Sequence, residues 1–340
     1  MAVAAELRAS GAEVSFVGTR ERIEAELVPA AGYEIDFIDA TGIDRGNPLR
    51  AAGAALRAAA AVPVAARALA RRRADAVMGG GGFVAGPVGL AAALRRVPLV
   101  LTEADSHLGL ANRLLARRAE RVCLAFPIAG LEPPRFLVTG RPVSGAVLGA
   151  ERSAARQRFG IPADAPCLLV MGGSQGARSI NLCAIEAFGA SGPHVVHVSG
   201  RRDHAELAER LGPGAEGRYT LLDYEPDMGD CLAACDLVLG RSGGSVFELT
   251  ATGRPAILVP YPHAAADHQA SNARWMSEAG AAVVIADERL SADLLRGEVE
   301  AILGDPARLE EMSAASRSLA MPDAAREIAG VVLEAAAARR

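Results

Sequence analysis

The sequence predicts an α/β protein of two doubly wound domains, and three observations carry that reading. Short apolar runs alternate with amphipathic or Ala-rich helical stretches from one end to the other, the pattern that builds parallel sheets through βαβ crossovers. Gly-rich segments stand where an apolar run gives way to a helix, as loops at the carboxyl ends of strands do. At 340 residues the chain is longer than one ordinary core and fits two. With 51% hydrophobic residues, 4% aromatic and 36 glycines, it suits a packed α/β interior built from Ala, Val and Leu, not a disordered or fibrous chain.

In the first half, strands are expected at residues 13–17, 34–38, 74–78, 98–101 and 121–125, with one more inside "PPRFLVTGRPV" (133–143). The second half repeats the grammar at residues 167–171, 195–199, 219–222, 237–239, 256–259 and 282–285. The division expected is a first domain over 1–145, a connection over about 144–160, a second domain over 160–320 and a C-terminal helix over 321–340. The two domains should face a cleft, with ligands at the carboxyl ends of the strands. "MAVAAELRASGAEVSFVGT" opens on a helix and runs into a strand, whereas a doubly wound domain should open on a strand and its loop. The expectation is that a strand and a loop of roughly 20 residues precede Met1.

Composition also excludes function classes. A net charge of −4 argues against nucleic acid as a partner. All 36 basic residues are arginine, which excludes a Walker-type lysine loop, a Schiff base and a lysine general base. The five cysteines, Cys123, Cys167, Cys183, Cys231 and Cys235, sit mostly in apolar runs and read as buried thiols of a reducing compartment. There is no run of 18 apolar residues and no signal-peptide pattern.

Three strand-to-helix loops carry the chemistry. "MGGGGFVAGP" (78–87) places Gly79 to Gly82 where backbone can approach a substrate closely. "MGGSQGARSINL" (171–182) has more than the single glycine a tight turn needs, and its Gly173, Ser174 and Gln175 stand ahead of a helix whose N–H groups and dipole favour a diphosphate. In the third, Gly243, Gly244 and Ser245 open a helix carrying Glu248 about one turn in, a carboxylate suited to a ribose diol. "HAAADHQASN" then supplies His263, Asp267, His268, Gln269 and Asn272 as sugar-bonding candidates.

"GGSQGARSIN", "GGFVAGP", "DLVLGRSGGSVFELTATGRPAILVPYPHAAADHQASNA" and "EAGAAVVI" together resemble the MurG family of bacterial transferases, glycosyltransferase family 28. The likeness runs through essentially the whole chain. It implies a GT-B fold, two Rossmann-like domains with the donor mainly on the second. It also implies transfer of N-acetylglucosamine from UDP-GlcNAc to the undecaprenyl-linked muramyl-pentapeptide lipid I, at the cytoplasmic face of the membrane. On it, Ser174 matches a residue whose backbone meets the UDP diphosphate. Glu248 matches the ribose carboxylate, Gly243 to Ser245 the α-phosphate loop, and Gln269 a residue on the GlcNAc hydroxyls. Asn112 stands where the family usually also carries asparagine.

There are departures as well. Glu103-Ala104-Asp105 replaces the usual Glu-Gln-Asn and puts Asp105 at a donor-contacting position. Arg141-Pro142-Val143-Ser144 replaces Asn-Pro-Val-Arg and puts Ser144 where an arginine is usual. The 241–248 loop is one residue short, and the family's first Gly loop, with its histidine, falls before Met1. A related UDP-sugar transferase with another acceptor, and an inactive nucleotide-sugar-binding partner of a cell-wall complex, therefore stay open as alternatives.

The chemistry expected is inverting transfer, with N–H groups from Gly173 to Ala177 stabilising the departing diphosphate. No Asp-x-Asp motif is present, and neither a metal nor a cofactor is expected. Asp105 and His107 are the candidates for the catalytic base. Arginines 45, 50, 57, 67, 71, 72 and 73, interleaved with Leu49, Leu56, Val62, Val64 and Leu69 and with no acid from 45 to 73, predict a basic amphipathic face for an anionic membrane surface.

Overall fold

The computed structural model describes residues 1–42, 48–173, 176–226, 228–264 and 267–339. They form two compact units, Met1–Pro142 with Asp323–Arg340, and Val143–Pro322. Every strand pairing in both is parallel.

The first unit runs α1 (Ala2–Ala9), β1 (Ser15–Gly18), α2 (Glu24–Ala30), β2 (Glu34–Phe37), α3 (Pro48–Arg71), β3 (Val77–Gly79), α4 (Gly82–Leu94), β4 (Leu99–Glu103), α5 (Leu110–Leu115), β5 (Arg121–Leu124) and β6 (Phe136–Val138). One ladder joins β1 to β2 and another runs β3-β4-β5-β6, so the hydrogen-bonded sheet is not continuous between β1 and β3. One buried cluster nonetheless spans both. Ala61, Ala65 and Leu69 of α3 and Val88, Ala91 and Ala92 of α4 bury with Ile38, Val77, Leu99 and Leu101. The strand expected from Ala74 starts only at Val77, because Ala74 still belongs to the end of α3. Its N–H donates to Leu69 O, around Arg73 in a left-handed conformation.

The second unit runs α6 (Gly145–Leu148), α7 (Arg152–Arg158), β7 (Cys167–Met171), α8 (Arg178–Phe188), β8 (His194–Val198), α9 (His204–Arg210), β9 (Tyr219–Leu222), α10 (Met228–Ala234), β10 (Leu237–Gly240), α11 (Val246–Ala251), β11 (Ala256–Leu258), α12 (His268–Glu278), β12 (Ala282–Val284), α13 (Ala292–Leu303) and α14 (Pro306–Ser318). Its sheet order is β12-β11-β10-β7-β8-β9. The order reverses between β7 and β10, where a doubly wound sheet leaves a crevice at its carboxyl edge. Strand β7 is buried along its whole length, as a central parallel strand covered on both faces must be.

Residues 144–160, expected as a connection, are instead α6 and α7 of the second unit. Charge holds them there. Arg152 and Arg156 lie 2.5 and 3.6 Å from the Asp236 carboxylate, Arg156 also donates to Ala234 O, and Asp236 accepts from Cys167 N at the start of β7. The last helix, α15 (Ala324–Ala337), belongs to the first unit, where Ile328, Ala329 and Val332 bury with Val3 and Leu7 of α1 and with Val100 and Cys123.

Helix α3 is apolar and long enough over Ala51–Arg71 to cross a membrane by length and composition. Its Ala54, Ala61, Ala65 and Leu69 are buried, while most of that stretch is not. All five cysteines are free and buried. Burial pushes the Cys123, Cys183 and Cys235 thiols up to about 11, so they are not nucleophiles at neutral pH.

Asp236→Ala should destabilise the protein by about 3 to 5 kcal/mol, because it leaves the buried Arg156 guanidinium without its counter-charge. Asp236→Asn, which keeps an acceptor for Cys167 N, should recover part of the loss. Chemical denaturation of the three proteins measures both.

Candidate functional site

The loops after β7 and β10 flank the crevice of the second unit. Backbone crowding shapes the first. A Cβ on Gly172 would lie 2.2 Å from Ala177 N, and one on Gly176 would lie 2.1 Å from Ser199 O, so neither position admits a side chain. Gly173, by contrast, faces open space. Gly176 N–H closes a turn onto Gly173 O at 3.0 Å. That corrects the expectation that every N–H from Gly173 to Ala177 is offered to a ligand. Helix α8 starts at Arg178 with no capping side chain among the described residues, and the N–H groups of such a first turn suit an anion. Ser174 and Gln175 lie outside the described residues.

A buried polar chain holds this loop from below. Tyr219 OH meets His197 Nδ1 at 2.8 Å, and His197 Nε2 meets Asn181 Oδ1 at 3.0 Å. Asn181 Nδ2 donates to Ser199 O at 2.8 Å and to Asp203 Oδ2 at 2.9 Å. The two Nδ2 bonds fix the amide, so the neutral imidazole carries its proton on Nε2 and accepts from Tyr219 at Nδ1. Burial pushes the His197 pKa down to about 3. The Arg202 guanidinium on Asp203 holds that carboxyl below its ordinary range, with Asn181 and Arg178 adding to the effect. Ser199 O, the atom that Gly176 packs against, is therefore anchored by Asn181.

On the other side of the crevice, Gly243, Gly244 and Ser245 lead into α11, and Glu248 lies half-buried in its first turn. Gln269, in the first turn of α12, comes to this loop. Its amide nitrogen lies 4.0 Å from where a Gly243 Cβ would be, its Oε1 accepts from Tyr261 N, and its carbonyl accepts from the Ser242 hydroxyl at 2.7 Å. Thus Gly173, Gly243, Gly244, Ser245, Glu248 and Gln269 gather at one end of one sheet. Asn272 departs from the reading as a sugar ligand: it is buried and donates to Ser242 O at 3.0 Å, so it holds the loop in place.

Sequence reading missed a charged bracket across the crevice. Arg241, directly after β10, donates to Asp287 Oδ1 at 2.6 Å, to Ser179 Oγ at 2.9 Å and to Val259 O at 3.0 Å. Ser179 Oγ in turn donates to Asp287 at 2.7 Å. It joins the first turn of α8 to the loops after β10 and β12. No local signal announces it, since its three residues lie far apart in the chain.

In the first unit, β4 ends at Glu103, a buried carboxylate that accepts from Gly109 N at 2.8 Å and from Asn112 Nδ2 at 2.9 Å. This bond set shapes the loop that carries Asp105 and His107, both half-buried. Ser144 caps α6, its hydroxyl accepting from Val147 N at 3.3 Å. The expected basic face is altered. Arg71 and Arg72 are tied to Asp36 of β2, and Arg72 also to Glu34. Leu69 is core and Val62 packs against that core, while Arg45 and the side chains of Leu49 and Arg50 lie outside the described residues.

Two family descriptions match the chain: the glycosyltransferase family 28 N-terminal domain over residues 1–124, and the glycosyltransferase family 28 C-terminal domain over 167–328. Enzymes named UDP-N-acetylglucosamine–N-acetylmuramyl-(pentapeptide) pyrophosphoryl-undecaprenol N-acetylglucosamine transferase are among its relatives. The one from Moorella thermoacetica is 40% identical, covering 95% of this chain and 91% of its own. That from Rubrobacter xylanophilus is 41% identical, covering 98% of each. The crystal structure of Acinetobacter baumannii MurG matches with a TM-score of 0.77 at 29% identity, over 98% of this chain and 94% of that one. CalG4, a calicheamicin glycosyltransferase, matches with a TM-score of 0.71 at 22% identity, over 99% and 94%, and speaks to the fold alone.

The His197 shift fixes a pH dependence. Its folded pKa of about 3 lies below the ordinary 6.5, so the unfolded chain binds a proton that the folded chain refuses, and stability falls as pH drops from about 6.5 toward 3. In His197→Gln that slope should flatten. Urea titrations of both proteins between pH 7 and 4 measure the difference.

Proposed function

The chain belongs to glycosyltransferase family 28, and from that membership we propose that it transfers N-acetylglucosamine from UDP-GlcNAc to lipid I, giving lipid II for peptidoglycan synthesis. Its fold is GT-B, two Rossmann-like units. The observation that carries the reading to the residues is the convergence of two glycine loops and Glu248 on the reversal point between β7 and β10.

In this reading the second unit holds the donor. The diphosphate lies over the start of α8, with Ser174 and Gln175 beside it, and the Gly243–Ser245 loop takes the α-phosphate. Glu248 accepts from the ribose diol and Gln269 bonds the sugar hydroxyls. The acceptor hydroxyl attacks the anomeric carbon from the face opposite UDP. A C–O bond forms as the bond to the diphosphate oxygen breaks, and the proton of the hydroxyl passes to a base. Asp105 and His107, on the loop shaped by Glu103, are the candidates for that base. Charge develops on the leaving diphosphate, so fixed N–H groups at a helix start act more strongly on the transition state than on the bound donor. Asp105 and Ser144 are further candidate donor contacts.

The lipid-linked acceptor calls for a membrane-facing surface, and we place it on exposed leucines set among arginines in the first unit. Leu56 of α3, Leu94 of α4 and Leu114 of α5 are 72%, 69% and 70% exposed. Arg95 and Arg96 follow Leu94, Arg113 and Arg117 flank Leu114, and Arg67 lies exposed on α3. None of these arginines has an ion-pair partner among the described residues, in contrast to Arg71 and Arg72. Exposed apolar side chains with arginines near them in the chain that form no ion pair among the described residues suit peripheral binding at the cytoplasmic face of the membrane.

Glu248→Ala should weaken UDP-GlcNAc binding at least about tenfold, the scale of a lost charge-assisted ribose bond. Unchanged affinity by calorimetry rules out the ribose role. The double variant Leu94→Glu, Leu114→Glu should sediment less with anionic vesicles than the wild type, and raising salt should lower the binding of both. Equal sedimentation of the two proteins rejects the membrane face.

A further inference from the structure

A cavity of about 310 Å³ opens in the first unit where β1 and β2 end, lined on one side by Phe83 at the start of α4. We propose that it is a subsite for the free carboxylate of the acceptor's pentapeptide, an inference that rests on the reading of the chain as a transferase to a peptide-bearing acceptor. Among the described residues, three arginines line it. Arg20 lies over the Phe37 ring at 4.6 Å and Arg22 over the Phe83 ring at 5.7 Å, so aromatic faces hold both side chains. Arg57 reaches it from the exposed side of α3. None of the three has an ion-pair partner among the described residues. A guanidinium seated over a ring still has N–H groups to offer a carboxylate, as in paired Arg–carboxylate recognition.

Charge and shape favour a peptide end over the acceptor's pyrophosphoryl group. Glu21 and Asp39 also line the cavity, which leaves its excess positive charge small and unsuited to a polyanion. The Phe37 and Phe83 rings form apolar walls, which fit small side chains and not a diphosphate. The volume, at the low end for ligand pockets, takes a short peptide segment and not a whole glycolipid.

The test compares wild type with Arg22→Gln and with the double variant Arg20→Gln, Arg57→Gln in two assays. In the first, kcat/KM is measured for lipid I and for the same lipid with the peptide removed. The ratio of the two should fall about tenfold in each variant, the scale of one charge-assisted bond. In the second, the free pentapeptide is titrated against the protein with its terminal carboxylate intact and amidated. Wild type should prefer the carboxylate form and the variants should lose that preference. An unchanged ratio, an equal loss on both acceptors, or no preference for the carboxylate form by wild type would each overturn the subsite. The titration needs no turnover, so a chain that binds the peptide carboxylate yet transfers no sugar would leave the subsite standing and refute the transferase reading alone.

Discussion

The close approach of the Gly176 backbone to Ser199 O is the constraint on which the second unit's site depends. Two main-chain segments meet there with no room for a Cβ, and this brings the loop leaving β7 against the loop leaving β8. Such contact is stable only if the carbonyl cannot swing away. Asn181 holds it, itself fixed by His197, Tyr219 and Asp203. The N-terminal end of α8 therefore inherits its position from a polar chain buried in the sheet and not from the surface loop. Buried polar groups of this kind are costly when half satisfied and rigid when complete, and this chain is bonded at each link.

Arginine takes two opposite parts in the molecule. Arg152, Arg156 and Arg241 are tied to Asp236 and Asp287 and to backbone carbonyls, where a planar fork of donors can satisfy several acceptors at once. They fasten α7 to the base of the sheet and join the loops around the crevice. Arg20, Arg22, Arg57, Arg67 and Arg113 form no ion pair among the described residues and stay available to ligands and surfaces. Residue type does not separate the two sets. The distinction is whether an acid lies within reach after folding.

Much of the fold was legible in the sequence because strands and helices are written in local periodicity. The twelve strands of the described residues fall where apolar runs stand, with boundaries displaced by a few residues, and the shift at β3 comes from the end of α3 claiming Ala74. The candidate donor site was legible for a related reason: glycine spacing and a helix-borne Glu248 are short-range patterns. Residues 144–160 were not legible as helices of the second unit because the acid that fastens them there, Asp236, lies about eighty positions later. Arg71 and Arg72 are spent on Asp36 and Glu34, a pairing the sequence hides because those acids come from a separate strand.

The sequence by itself determined the α/β class, the order of elements and the positions of the glycine loops, because each follows from the preferences of residues adjacent in the chain. Tertiary structure alone decided which N–H groups remain for a ligand, with Gly176 spent on Gly173 O, and which polar side chains serve as scaffold, with Asn272, Asn181 and Arg241 bound inward. It also decided that Leu69 is core while Leu94 and Leu114 face outward. The physical reason is that a hydrogen bond or an ion pair is a property of two groups. When its partners lie on different strands and helices, their distance exists only once the chain has folded.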